Sequence, residues 1–272
     1  MKNKKIKINK KRIIAIIISI LIIVIVAIFI TFITDKLVGG KASTEFKEEK
    51  ITLDFKNRDE NSISYQYEDY LTVGWLQVQG TNIDFPVLNS QAASIEDVDI
   101  NYLYRSSYYE SGENREVILG HNIINVSSNP IRNMASLKDF EGLLAFTYDD
   151  FAKENLYISY TKDGVTELYK IYAIGFYDYI SSEEIGFDND EDIKNYIKEA
   201  KKESIYDYNV DVNENDKLIS LKTCTRYFGL NDRNAFIIDA RKVRENEEII
   251  KYEVKTNENY SKLADGVSNE GV

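Results

Sequence analysis

One histidine and one cysteine occur in the chain, His121 and Cys224, so thiol chemistry assisted by an imidazole must use that pair. A cysteine sulfur is a strong nucleophile even when little of it is ionised, and an imidazole can take and return a proton near neutral pH. Each of the two closes a predicted strand, Glu116–His121 and Lys217–Cys224, where a β-scaffold presents side chains at a rim. Attack on a carbonyl also needs a group to hold the developing oxyanion. Arg233 follows Cys224 by nine residues, beyond the connection 226–232, and opens the next predicted strand. A loop of that kind could bring its guanidinium beside the sulfur. Each of the three also has a plain structural use: the thiol as buried filler, the imidazole as a hydrogen-bonded structural group, the arginine as a solvated charge.

The elements that must position these residues are legible from hydrophobic period. Val73–Gly80 alternates apolar and polar residues and stops at glycine, which reads as a strand. Phe85–Leu88 is a second, with Pro86 marking an edge. Further strands are predicted at Leu156–Thr161, Val165–Tyr177 and Ala235–Val243, and Lys162-Asp163-Gly164 signals a hairpin turn between the first two of these. Ile193, Tyr196, Ile197 and Ala200 follow the i, i+3, i+4, i+7 spacing of an amphipathic helix, with cap candidates at Asp188 to Asp190. A short helix is expected around Phe55–Tyr70, and a polar tail from about Asn246.

Residues Ile13–Ile33 run for 21 positions without a charge, enough at about 1.5 Å per residue to cross a bilayer core of roughly 30 Å. Seven basic residues precede the run, which predicts residues 1–12 on the cytoplasmic side and everything beyond about 36 outside the cell. A cleaved signal peptide would have a shorter apolar region and a small-residue cleavage site. The chain carries −11 overall, and since its first twelve residues carry +7, the rest carries −18. So acidic a surface speaks against a nucleic-acid partner. One cysteine in an exported chain also leaves no internal disulfide to form.

Ser220-Leu221-Lys222-Thr223-Cys224-Thr225, with Arg233 opening the strand after it, resembles the sortase signature T-L-x-T-C and its downstream arginine. Upstream, Leu119-Gly120-His121-Asn122 is similar to the sortase histidine motif. Gly74-Trp75-Leu76-Gln77-Val78-Gln79-Gly80-Thr81-Asn82-Ile83-Asp84-Phe85-Pro86-Val87 resembles the first strands of class B sortases, and the helix at about 190–204 is similar to one of that class. The resemblance covers roughly Asp69 to Val243. It departs at Ser220, where the signature usually has threonine, and the chain carries no Asp-Pro-aromatic lid ahead of Val73, which disfavours the pilin-polymerising class.

The resemblance implies a mainly β domain, an eight-stranded sortase-type barrel with short helices, preceded by an N-terminal transmembrane helix. The expected organisation is a cytoplasmic basic tail (1–12), the membrane anchor (13–33), an extracellular linker (34–68), the catalytic domain (69–245) and a polar C-terminal tail (246–272). The implied activity is cleavage of a C-terminal sorting motif in secreted proteins through a thioacyl-enzyme, resolved by an amine on a peptidoglycan precursor. In that scheme Cys224 is the nucleophile, His121 the acid and base, Arg233 the oxyanion or substrate-orienting group, and Thr223 a residue of the substrate groove, with no cofactor or metal. Two other cell-wall cysteine enzymes fit less well. L,D-transpeptidases carry Ser-x-Gly-Cys-x-Arg at the nucleophile, and NlpC/P60 peptidases place cysteine before histidine at a helix start. A membrane-anchored ectodomain that only binds, with Cys224 in its core, is the non-enzymatic alternative.

Overall fold

Alternation of buried apolar residues with polar ones builds most of the domain as strands. The computed structural model describes residues 46–58, 72–89, 103–105, 114–122, 134–178, 189–227, 234–258 and 260. Met1–Lys47 and Glu48–Val272 form separate units, and every strand and helix described belongs to the second. Its strands are β1 (Glu49–Lys50), β2 (Thr72–Val78), β3 (Asp84–Asn89), β4 (Leu103–Arg105), β5 (Arg115–Leu119), β6 (Tyr157–Lys162), β7 (Val165–Asp178), β8 (Tyr206–Tyr208), β9 (Leu218–Thr225), β10 (Asn234–Lys242), β11 (Ile250–Lys251) and β12 (Val254–Thr256). Two α-helices accompany them, α1 (Asp149–Glu154) and α2 (Asp190–Lys202).

Eight strands close into a barrel in the order β10-β7-β6-β2-β3-β4-β5-β9. The β3–β4 and β5–β9 pairs are parallel and the others antiparallel. The predicted hairpin is present: Lys162 pairs with Val165 across Asp163 and Gly164, both at positive φ, as a two-residue turn matched to strand twist requires. Pro86 lies inside the barrel rather than at an edge. The β3–β4 pairing begins only at Val87, so no ladder bond from its missing N–H is demanded on that side.

Helix α2 forms where the apolar spacing predicts it. The Asn189 side chain accepts from the Glu191 and Asp192 N–H groups, acidic residues fill the first turn and Lys201 and Lys202 the last, as capping and the helix dipole favour. Ile193, Ile197 and Ala200 are its buried face. The N-terminal approach differs from expectation. Residues 51–58 are not helical but lie along the barrel, because Lys56 exchanges backbone bonds with the Gln77 side chain and Arg58 and Lys56 pair with Asp84. The remainder of the expected helix lies outside the described residues. The fold also continues past 245: β11 pairs with β1, β12 with β8, and Tyr252 is buried with its hydroxyl donating to the carbonyls of Leu156 and Ile171. Among the described residues no helix is long and apolar enough to cross a membrane, and the run Ile13–Ile33 lies outside them.

Candidate active site

Strand β9 lies between β5 and β10. Its period of two puts Ile219, Leu221 and Thr223, all fully buried, on one face and Ser220, Lys222 and Cys224 on the other. The Ser220 face is the one α2 covers, since Tyr196 of that helix donates to Asp239, the residue level with Ser220 on β10. Cys224 lies four residues farther along that face and is only partly buried.

His121 stands two residues beyond β5. The parallel register pairs Leu119 with Lys222, and the Gly120 N–H continues it by donating to the Lys222 carbonyl at 3.3 Å. Continued by two residues, that register would set His121 opposite Cys224 on the neighbouring strand. Level residues of parallel strands share a face. The histidine's backbone is fixed from two sides. Its carbonyl accepts from the Phe140 N–H at 3.1 Å, and the preceding Gly120 carbonyl accepts from the Thr223 hydroxyl at 2.7 Å. Gly120 is required there, because a Cβ at that position would lie 2.7 Å from both Leu103 Cδ2 and Phe140 Cδ2.

Thr223 is completely enclosed, and its hydroxyl ties β9 to the histidine segment. Its side chain therefore acts inside the barrel wall rather than on an open groove surface. Arg233 lies outside the described residues. Asn234, directly after it, is level with Thr225, and Ala235 is level with Cys224. Asn122, next to His121, has both side-chain amide atoms buried with no hydrogen-bond partner among the described residues.

Sequence reasoning missed a buried polar cluster on the three strands that carry these residues. Arg115 donates through Nε to Ser220 Oγ at 2.9 Å and through Nη2 to the Tyr196 hydroxyl at 2.6 Å, with its guanidinium 4.0 Å from the Tyr196 ring centroid. Ser220 and Tyr196 both donate to Asp239 Oδ1, which is 4.0 Å from Arg115 Nη2. Burial pushes the Asp239 carboxyl above its ordinary value, against the pull of Arg115 and the two hydroxyls. The available signal was the charge of Asp239 amid the apolar run 235–240 of β10, since buried charges are paired.

The closed eight-stranded barrel places Cys224 at the end of a strand that runs parallel to the one leading to His121. No family model matches the chain. Among curated proteins it is similar to sortase B of Listeria monocytogenes, 29% identical over 164 residues, and to sortase B of Staphylococcus aureus, 24% identical over 161 residues. Each match covers 56% of this chain and 62% of the relative's length. Among solved structures, Clostridium perfringens sortase B superposes with a TM-score of 0.51 at 24% identity, over 65% of this chain and 94% of that one. The Staphylococcus aureus sortase B–substrate complex gives a TM-score of 0.52 at 16% identity, over 64% and 80%. The fold is that of sortases, and the sequence likeness falls within class B.

Proposed function

We propose that this chain is a membrane-anchored cysteine transpeptidase of the sortase type, acting outside the cell on a sorting motif in secreted proteins. The observation that carries the reading is that β5 and β9 are adjacent parallel strands whose ends lead directly into the chain's one histidine and one cysteine. The Cys224 sulfur attacks the carbonyl of the motif's threonine, forming the C–S bond. His121 hands its proton to the departing amine as the scissile C–N bond breaks, leaving a thioester. An amine of a peptidoglycan precursor then attacks that thioester. His121 takes a proton from that amine, a new C–N bond forms as the C–S bond breaks, and Cys224 leaves as the thiolate, which restores the thiolate and imidazolium that begin the cycle. Arg233 supplies donors to the oxyanion in both steps.

Two features of the structure support a peptide substrate over a role in binding alone. Cys224 as a residue is only partly buried at a strand end, where a structural cysteine would be enclosed. The Asn122 amide beside His121, without a partner among the described residues, would gain partners from a peptide backbone, which offers both N–H and C=O groups. Binding of one Staphylococcus aureus relative to its substrate is in keeping with this reading. The run Ile13–Ile33 holds the enzyme to the lipid bilayer with residues 1–12 cytoplasmic, and the acidity of the remainder leaves no part for nucleic acid.

The test is incubation with a panel of quenched sorting-motif peptides, with and without an amine. The expected results are a thioester adduct on Cys224 by mass spectrometry, slow hydrolysis alone and diversion to an amide when amine is added. Cys224→Ala abolishes all three. Wild-type turnover by Cys224→Ala on a confirmed substrate refutes the reading.

A further inference from the structure

The cluster formed by Arg115, Ser220, Asp239 and Tyr196 makes no contact with the reacting atoms. Ser220 lies four residues from Cys224, about 13 Å along the strand. Yet its members lie on β5, β9, β10 and α2, and the three strands are those that lead to His121, Cys224 and Arg233. Arg115 and Asp239 are enclosed, at 9% and 1% exposure, and Ser220 is fully buried. The β10 register against β7 shifts between Asp239 and Ala240, which leaves Tyr172 of β7 as the extra residue. The bulge therefore lies on β7, directly beside the pair that Asp239 makes with Ala173.

We infer that Arg115, Ser220, Asp239 and Tyr196 are positioning residues that lock β5, β9 and β10 in the one register that brings the histidine segment beside Cys224. A one-residue slip of any of these strands would turn its reactive end to the opposite face. Backbone ladders alone are indifferent to such a slip, whereas four polar side chains with fixed partners are not. The cluster is not explained by stability, because burying a charged pair costs about as much as the pair returns, and a packed apolar replacement is often as stable. The serine at 220, the one departure from the usual threonine of the signature, has its hydroxyl engaged on both sides, accepting from Arg115 and donating to Asp239.

The inference rests on the transpeptidase reading, and one experiment separates the two. Wild type, His121→Ala, Ser220→Ala, Ser220→Thr and the apolar pair Arg115→Met/Asp239→Leu are compared by thermal unfolding, by the pH profile of Cys224 alkylation with iodoacetamide, and by peptide turnover per folded molecule. The apolar pair and Ser220→Ala are expected to stay folded, yet their alkylation profiles move toward that of His121→Ala. Their kcat falls on the order of 10²-fold, the loss expected for a displacement of about 1 Å. Ser220→Thr, which keeps the hydroxyl, restores the wild-type profile. If His121→Ala leaves the alkylation profile unchanged, the catalytic pairing falls and the inference with it. If His121→Ala changes it while folded Ser220→Ala and the apolar pair keep the wild-type profile and kcat, the inference alone is overturned. Should the apolar pair fail to fold, the Ser220 variants decide between the same two results.

Discussion

Replacing Gly120 by alanine perturbs the histidine without touching it. The added Cβ would lie 2.7 Å from Leu103 Cδ2 and from Phe140 Cδ2 and Cγ, whereas ordinary carbon contacts fall at about 3.5–4.0 Å, so something must move by about 1 Å. Leu103 and Phe140 are both fully buried and have little room to yield. Overpacking of this kind costs about 1–3 kcal/mol, and in a domain of this size each kcal/mol lowers Tm by about 2–4 °C. Part of the displacement passes to the backbone between Gly120 and His121, which is held by the Thr223 hydroxyl and the Phe140 N–H. A shift of about 1 Å at the imidazole reduces turnover on the order of 10²-fold. Circular dichroism melts together with peptide turnover, normalised to the folded fraction, read both effects. Adding Leu103→Ala, which opens space beside the new methyl, is expected to recover turnover while stability falls further. A Gly120→Ala protein with wild-type Tm and wild-type kcat would refute the claim that this close approach sets the histidine.

Thr223→Val keeps shape but removes the bond to the Gly120 carbonyl; a loss of about 1–2 kcal/mol is expected in urea melts, with kcat falling more than KM rises, whereas a groove-lining side chain would show chiefly in KM. Arg233→Ala should lower kcat on the order of 10²–10³-fold, and Arg233→Lys should rescue poorly in the same stopped assay because the charge survives but the planar fork does not. Glu247 predicts an acid limb of stability. Burial raises its carboxyl, but bonds from Arg241 and Lys170 and from the Arg244 N–H outweigh this and hold it at about 2. A carboxyl held at about 2 rather than 4.5 contributes roughly 3 kcal/mol, fully present above pH 4.5 and lost as pH falls toward 2. Melts from pH 6 to pH 2 should show that slope in wild type and lack it in Glu247→Gln, and an unchanged slope in the variant would rule out Glu247 as its source.

Legibility in the sequence followed the length and regularity of each element. Strands such as β7 and β10 are long enough for period two to show, and α2 carries its helical spacing and caps locally. Strand β4 is three residues with Leu103 and Tyr104 both enclosed, so no alternation exists to read. The segment 134–154 is built from short 3₁₀ turns and one helix of six residues, with no dominant period. β8 and β12 owe their pairing to each other, and nothing in Val254–Thr256 distinguishes it from a polar tail. For the site, residue types singled out Cys224 and His121, and the burial of Thr223 and the Arg115–Asp239 cluster became visible only once register placed distant strands side by side.

That register has a consequence for when the chain becomes reactive. The β5–β9 pairing joins residues 103 positions apart, as Arg115 with Leu218, the widest separation of any pair in the barrel. Contacts that close so long a loop carry the greatest entropy cost before they return anything, and parallel pairings of this kind form slowly. Cys224 therefore meets His121 late, as the barrel seals. On the proposed function, a half-folded chain holds a cysteine with no imidazole beside it, so its thiol is not activated before there is a finished wall around it. Pulse alkylation of Cys224 during refolding should find the unassisted thiol persisting until the slowest phase ends.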